Sequence, residues 1–222
     1  MYRHEWKHPI NLSDRLALRQ RLTAIAQPDP HAPDGRYLVR SLYFDTPGDR
    51  ALREKLDGVN RREKFRLRCY NGDLSLIHLE KKSKVGDLGT KESVVVSVEE
   101  VHSILHGDLS WMAHSGRTLV WELYIKMRSQ LLLPKIIVDY TREPFVYPPG
   151  NVRVTLDYNL RAGLSPAGFL HPDCPTIPTG DSPAILEVKW DAYLPQVIRQ
   201  AVQLPGRRAS AFSKYAACRV YG

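Results

Sequence analysis

Apolar and polar residues alternate along much of this chain. In Lys64-Phe65-Arg66-Leu67-Arg68-Cys69 the apolar residues Phe65, Leu67 and Cys69 share one parity and three cations share the other. Successive side chains of a strand point to opposite faces, so this pattern predicts a strand with one dry and one charged side. The same reading predicts strands over 3–10, 38–45, 64–70, 74–82, 90–98, 135–142, 151–157 and 184–190. Asn71-Gly72-Asp73 supplies a tight hairpin turn, residues 86–89 a second turn, and Pro148-Pro149-Gly150 the link between the two strands that flank it.

Helical spacing interrupts the strands. Ser13-Asp14 reads as the cap of a helix over 15–26, where Leu16, Leu18, Leu22 and Ile25 form a stripe. Thr46-Pro47 opens a helix that runs to Leu56, and Ser97, followed by Glu99 and Glu100, caps one that ends at His106. Further helices are predicted over 117–132, ended by Pro134, and over 194–204 and 209–219. Residues 28–35 and 163–183 read as loops rich in Pro, Gly and Asp. No repeat, low-complexity tract or linker interrupts the series. The expectation is one α+β domain over 1–222, an antiparallel sheet with helices packed outside.

The charged parity recurs from strand to strand. Arg3, Glu5 and Lys7 share a face, as do Glu80 with Lys82, Arg153 with Thr155 and Asp157, and Glu187 with Lys189. A single such strand is explained by an antiparallel sheet with one solvated face. Five strands crowded with cations on one side are harder to explain, because like charges opposed across strands destabilise a sheet. A bound polyanion would supply the missing counter-charge. If the sheet closes into a barrel with this face inward, the lining is polar and the interior is a tunnel.

Composition agrees with that reading. The 222 residues carry 32 Lys plus Arg against 24 Asp plus Glu, a net charge of +8. Such an excess suits phosphate, nucleic acid or an acidic membrane, and a merely solvated basic surface is the bland alternative. Three cysteines with no CxxC spacing suit a reducing compartment. The first residues show no apolar run of the signal-peptide kind, and a cytoplasmic location is expected.

Other motifs carry less. Residues 86–91 lack the GxxxxGK[ST] spacing and precede a strand rather than a helix. The eight histidines show no paired-ligand spacing, and His4, His8, His31 and His171 read as solvent residues. Trp111, Trp121 and Trp190 read as core and rim aromatics, and Arg207-Arg208 as solvated surface.

Seven motifs then follow one another in order: Arg3-x-Glu5-x-Lys7, Ser41-Leu42-Tyr43-Phe44-Asp45-Thr46, Lys64-Phe65-Arg66-Leu67-Arg68, Leu79-Glu80-Lys81-Lys82, Arg153-Val154-Thr155-Leu156-Asp157, Leu186-Glu187-Val188-Lys189 and Ser213-Lys214-Tyr215. Together they resemble the VTC domain, the polyphosphate polymerase domain of the vacuolar transporter chaperone complex, in its stand-alone bacterial form. That domain belongs to the triphosphate tunnel metalloenzymes. The resemblance runs from Arg3 to about Arg219.

The resemblance implies a closed antiparallel β-barrel of about eight strands, with helices outside and a polar tunnel within. It implies a divalent metal, Mn²⁺ or Mg²⁺, and ATP and polyphosphate as partners. The implied reaction is transfer of the terminal phosphate of ATP to a polyphosphate chain. Carried over by position, Lys7, Arg66, Arg68, Lys82, Lys91, Arg142, Arg153, Lys189, Ser213 and Lys214 would contact phosphates. Arg66, Arg68, Lys82, Arg153 and Lys214 would carry catalysis. Glu187 would hold the metal, with Glu5 and Asp157 as candidate helpers. Glu80 reads as an internal ion-pair partner. Phosphoryl transfer demands positioning and charge stabilisation more than a protein nucleophile, which suits an Arg- and Lys-lined site.

One departure from the wider superfamily is informative. The hydrolase and cyclase branches begin Glu-x-Glu-x-Lys, and here Arg3 replaces the first acid, which leans towards the polymerase branch. A triphosphate or nucleoside triphosphate hydrolase is the alternative, as is a non-catalytic polyphosphate- or nucleotide-binding module. A membrane partner protein would explain how product leaves, and no specific nucleic-acid partner is expected.

Overall fold

A computed structural model describes residues 3–86, 88–180, 183–206 and 212–221. The strands are β1 (His4–Ile10), β2 (Gln27–Pro28), β3 (Tyr37–Asp45), β4 (Arg61–Tyr70), β5 (Asp73–Val85), β6 (Leu88–Val96), β7 (Leu133–Tyr147), β8 (Val152–Gly163), β9 (Thr176–Pro178) and β10 (Ala184–Trp190). The α-helices are α1 (Leu12–Ile25), α2 (Arg50–Leu56), α3 (Val98–His106), α4 (Thr118–Gln130), α5 (Gln196–Ala201) and α6 (Lys214–Cys218). The α+β class is as expected.

The chain folds as two compact units. One comprises Met1–Leu38, Tyr140–Leu160 and Gly180–Ser213, the other Val39–Asp139, Arg161–Thr179 and Lys214–Gly222. In the first unit the strand order is β1-β10-β8-β7, all antiparallel where the register is defined, with β2 added on β7. Val152, Val154, Leu156, Leu186, Val188 and Trp190 form its dry face, covered by Leu18 and Leu22 of α1 and Ile198 of α5. In the second unit the order is β7-β3-β4-β5-β6. Its dry face, Leu42, Phe44, Phe65, Leu67, Cys69, Ile77 and Leu79, packs on Val101 and Ile104 of α3 and Leu119, Val120 and Leu123 of α4.

The closed barrel is corrected. β1 and β6 are terminal strands, and among the described residues no pairing joins them, so the sheet is open. Both carry the devices that keep edges from pairing. β1 holds Pro9, which lacks an N–H, among His4, Glu5, Lys7 and His8, and β6 carries Lys91 and Glu92 on a largely exposed strand. Alternation reports which face is dry, but says nothing of whether the first and last strands meet.

Several boundaries also move. The cap of α1 is Asn11 rather than Ser13-Asp14: its side chain accepts from the Asp14 N–H at 2.8 Å while Asp14 accepts from the Asn11 N–H at 3.1 Å. The Asn11 side-chain oxygen and the Asp14 carboxylate, each accepting from the other's backbone N–H, close a capping box that starts the helix three residues early. The helix expected from Thr46 begins at Arg50, because Asp49 adopts φ 54 and breaks the run. Asn71 and Gly72 have φ 52 and 71, the geometry of a two-residue hairpin turn. The loop over 163–183 contains a short 3₁₀ turn (Pro166–Leu170) and β9. α5 is shorter than expected, α6 starts at Lys214, and residues 209–211 of the helix expected there, like Arg207-Arg208, lie outside the described residues. Trp190 is buried in the core, whereas Trp121 is half exposed.

Candidate functional site

In the second unit, residues opposite the dry face form cross-strand rows. Ser41, Arg68 and His78 are directly opposed on β3, β4 and β5, and Tyr43, Arg66, Glu80 and Ser93 form the next row, which reaches β6. Arg66, Arg68 and Glu80 are buried although they face away from the apolar core. Arg66 donates through Nε to Glu80 Oε2 at 2.7 Å and through Nη1 to the Tyr43 hydroxyl at 2.9 Å. Arg68 Nε donates to Ser41 Oγ at 2.9 Å, and Lys91 Nζ donates to Glu80 Oε1 at 2.8 Å. Burial pushes the Glu80 carboxyl up, but Arg66, Arg68 and Lys91 outweigh it and hold Glu80 far below the usual carboxylate range. Burial likewise opposes ionisation of Tyr43, yet Arg66, Arg68 and Lys64 leave its phenol lowered overall.

The third row holds only lysines: Lys64 of β4 is directly opposite Lys82 of β5, and Lys82 is directly opposite Lys91 of β6. Sequence reading put Lys82 and Lys91 on the site and omitted Lys64. The available signal was parity, since Lys64 lies two residues before Arg66 on the same face. Ser41 and Tyr43 were quoted only as motif residues, and the register with β4 is what reveals them as orienters of Arg68 and Arg66.

The Ser213-Lys214-Tyr215 motif has a structural explanation. Asp45, at the end of β3, accepts from the backbone N–H groups of Thr46 at 2.8 Å, Ala51 at 2.8 Å and Leu52 at 3.1 Å, and also from the Tyr215 hydroxyl. One buried carboxylate therefore starts α2 and anchors α6, whose first residue is Lys214. Arg219 adds a second tie, donating to Asp49 at 2.7 Å.

The first unit carries a face of alternating sign. Lys7, Glu187 and Thr155 form one row over β1, β10 and β8, and Glu5, Lys189 and Arg153 the next. Lys189 Nζ lies 2.6 Å from Glu187 and 3.5 Å from Glu5, and Lys7 lies 2.9 Å from Glu5. Arg142 of β7 donates two hydrogen bonds of 2.7 Å to the two oxygens of Asp157, and its Nη2 is 3.9 Å from Glu187. Burial disfavours the Arg142 cation, but Asp157, Tyr140 and Glu187 overcome it and raise its pKa well above the ordinary value. Arg153 is oriented by Asp29 at 2.6 Å and the Tyr37 hydroxyl at 3.0 Å, two residues sequence reading did not single out. Arg3 pairs with Asp191 at 2.8 Å.

The fit to a divalent metal is specific. Among the described residues no group of three His, Cys, Asp or Glu gathers. Both oxygens of Asp157 are taken by Arg142, and Glu5 is held by Lys7 and Lys189. Glu187 differs. Directly opposite it stands Thr155, whose hydroxyl is buried without a hydrogen-bond partner among the described residues. Mg²⁺ and Mn²⁺ accept one or two carboxylates when phosphate and water oxygens complete the shell. A single-carboxylate anchor at Glu187 fits that chemistry, and a cage built from protein ligands alone does not.

The family model of the VTC domain matches residues 2–221. The chain belongs to the VTC domain family. VTC domains are triphosphate-tunnel proteins, a family that handles triphosphate substrates, generally as metal-using enzymes. No curated protein matches the chain. Similar solved structures include a putative adenylate cyclase from Bacillus halodurans, with 14% identity, 85% of this chain and 82% of that chain covered, and a TM-score of 0.47. The PH1012 protein of Pyrococcus horikoshii OT3 gives 12% identity, 91% and 85% coverage and a TM-score of 0.45. A conserved hypothetical protein from Pyrococcus furiosus gives 10%, 90%, 85% and 0.46. No helix among the described residues of this VTC domain is long and apolar enough to cross a membrane.

Proposed function

We propose that this VTC domain is a polyphosphate polymerase-type phosphotransferase that moves the terminal phosphate of ATP onto a polyphosphate chain. The observation that carries the reading is the row-by-row stacking of cations on the solvent-side face of β4, β5 and β6, where Arg66 and Arg68 are buried with their planes fixed by Glu80, Tyr43 and Ser41. Buried cations held in one orientation suit an anion whose charge grows on its oxygens during transfer. Family membership supports the same substrate class.

In this reading Arg66 and Arg68 grip phosphate oxygens with planar, preset guanidinium groups, and Lys82 and Lys91 add point charges. Arg153, Lys7, Arg142 and Lys189 bind phosphates on the face of β1, β7, β8 and β10. Lys214 and Ser213 act from the start of α6, which Asp45 and Tyr215 anchor. Glu187, with Thr155 opposite, would hold Mn²⁺ or Mg²⁺; when bound, the ion neutralises phosphate oxygens and polarises the phosphorus. The bond from the γ-phosphorus to the bridging oxygen of ADP breaks as an oxygen at the end of the polyphosphate chain bonds to that phosphorus, so ADP leaves and the chain gains one unit.

A second reading, polyphosphate binding without turnover, is favoured by one observation: Glu5, Asp157 and Glu187 each already pair with a cation. Purified protein incubated with ATP and Mn²⁺ separates the readings. Polymer that a gel resolves supports the polymerase, orthophosphate without polymer supports a hydrolase, and tight tripolyphosphate binding with neither product supports the binding module. Failure to bind tripolyphosphate sinks all three.

A further inference from the structure

Three lysines facing one another across adjacent strands need an explanation that the fold does not provide. Lys64, Lys82 and Lys91 occupy directly opposed positions on β4, β5 and β6, where side chains of one face lie about 5 Å apart. Like charges at such positions destabilise a sheet. Lys91 is compensated by Glu80 at 2.8 Å. Lys64 is not compensated in that way. It is half-buried, makes no ion pair among the described residues, and its Nζ sits over the ring of Tyr215, 4.8 Å from the centroid.

Tyr215 is itself fixed, because its hydroxyl donates to buried Asp45. The aromatic face thus holds an ammonium group in a set position without neutralising it. Cation–π contact is worth much less than a carboxylate partner in such a place. The neighbours deepen the problem. Burial disfavours the ammonium group, Tyr43 and Asp45 offset part of that cost, and Lys55 and Arg62 add repulsion. An ammonium group placed directly opposite another lysine, in a row of three, and pinned without an ion pair among the described residues, is arranged for an anion that arrives from outside.

We propose that Lys64 is a phosphate-contacting residue, and that the row Lys64–Lys82–Lys91 binds a run of linked phosphates across β4, β5 and β6. This rests on the reading of the face as a phosphate site and adds to it a residue and a direction. The row crosses the strands towards β6, whereas Arg66 and Arg68 lie along β4. A single orthophosphate engages one or two such positions, and a chain of linked phosphates engages the row.

The electrostatics give the inference a second, independent signature. Burial lowers Lys64 to about 8, with Tyr43 and Asp45 opposing and Lys55 and Arg62 assisting. A phosphate oxygen beside the ammonium group restores its basicity, so binding draws a proton from solvent at pH values between the free and the bound pKa. Arg in the same place stays charged throughout and takes up none.

The test is titration calorimetry of the full chain with inorganic tripolyphosphate and with orthophosphate. It is run without metal, at pH 7 and at pH 9.5, in two buffers of different ionisation enthalpy. Lys64→Met and Lys64→Arg are compared with wild type, and thermal melts confirm that each is folded. Lys64→Met should weaken tripolyphosphate at pH 7 at least tenfold and orthophosphate by less. Lys64→Arg should bind as wild type does at pH 7 and more tightly than wild type at pH 9.5. Wild type should take up a proton on binding at pH 9.5, and neither variant should. If wild type binds but Lys64→Met binds within twofold of it with the same proton uptake, this inference falls and the proposed function stands. If wild type binds no tripolyphosphate, the proposed function falls and takes this inference with it.

Discussion

Arg142 and Asp157 meet through two parallel hydrogen bonds of 2.7 Å, with the Asp157 side chain fully buried. The pair sits on the charged face of β7 and β8, not in the apolar core. Removing either partner leaves the other ion buried and uncompensated, which typically costs about 3–5 kcal/mol. Asp157→Ala should therefore lower unfolding free energy by about that amount in urea titrations. A loss below about 1 kcal/mol would mean that the pair is solvated and behaves as a surface bridge.

Arg66→Ala and Arg68→Ala test the buried cations of β4 directly. Each should weaken tripolyphosphate binding by about 1.5–3 kcal/mol, the range for charge-assisted hydrogen bonds. Arg66→Ala should also reduce stability, because Glu80 loses a hydrogen-bond partner at 2.7 Å, whereas Arg68→Ala removes the hydrogen bond to Ser41 and leaves the one from Arg66 to Glu80 in place. Unchanged affinity in both variants removes β4 from the site.

The hydroxyl of Tyr215 ties α6 to Asp45. Tyr215→Phe keeps the ring under Lys64 and deletes that hydrogen bond together with the hydroxyl's contact to Arg219, while Asp45 retains three backbone N–H donors. A stability loss of about 1.5–3 kcal/mol is expected, as for a hydrogen bond to a charged group. Turnover should fall too, because α6 begins at Lys214, whereas the affinity contributed by Lys64 should persist. Turnover unchanged alongside the stability loss would show that α6 placement does not matter to the reaction.

The strand faces were legible in sequence because a period of two survives any tertiary context. Lys64, Arg66 and Arg68 fall opposite Phe65, Leu67 and Cys69, as their alternation requires. Register was not legible. Nothing in the spacing says that Lys64 faces Lys82, or that Glu80 lies across from Arg66, because hairpin lengths and the irregularity between Arg68 and Tyr70 set the offset. Edge behaviour was not legible either, and hence the closed barrel was expected. Asp29 and Tyr37, which orient Arg153, come from a loop and the start of β3 and lie more than 110 residues away in sequence, so no local pattern marks them. Local pattern points to Ser13-Asp14 as the cap of α1, and only the reciprocal bonds between Asn11 and Asp14 in the folded chain place it at Asn11.

Two titrating groups on β4 and β5 make stability rise with pH, each in its own window. Glu80 has a depressed folded pKa, so its stabilising contribution is fully present above the unfolded value of 4.5 and is lost as pH falls through the folded value. Glu80→Gln should flatten the acid limb of the stability curve below about pH 4.5. Lys64 is depressed from 10.5 to about 8, so the folded state carries its full penalty below about 8 and is relieved as pH rises towards 10.5. The stability advantage of Lys64→Met over wild type should accordingly shrink over that window. A difference that stays constant from pH 7 to pH 10.5 would place Lys64 in ordinary solvent.

Glu187 sits where binding and turnover can be separated. It pairs with Lys189 at 2.6 Å and faces Thr155, whose hydroxyl has no hydrogen-bond partner among the described residues, and in the proposed function it holds the metal. Glu187→Ala removes the carboxylate but leaves Arg142, Arg153, Lys7 and Lys189 on the same face, which then carries more net positive charge. Metal-free tripolyphosphate affinity should therefore be kept or increased, while any dependence of binding or turnover on Mn²⁺ should disappear. Glu187→Gln controls for shape, since it preserves packing and supplies a poor metal ligand. Calorimetry with and without Mn²⁺ reads the first effect and product gels read the second. If Mn²⁺ stimulates Glu187→Ala as strongly as wild type, the metal binds elsewhere, and Glu187 serves only to keep Lys189 and Arg142 in place.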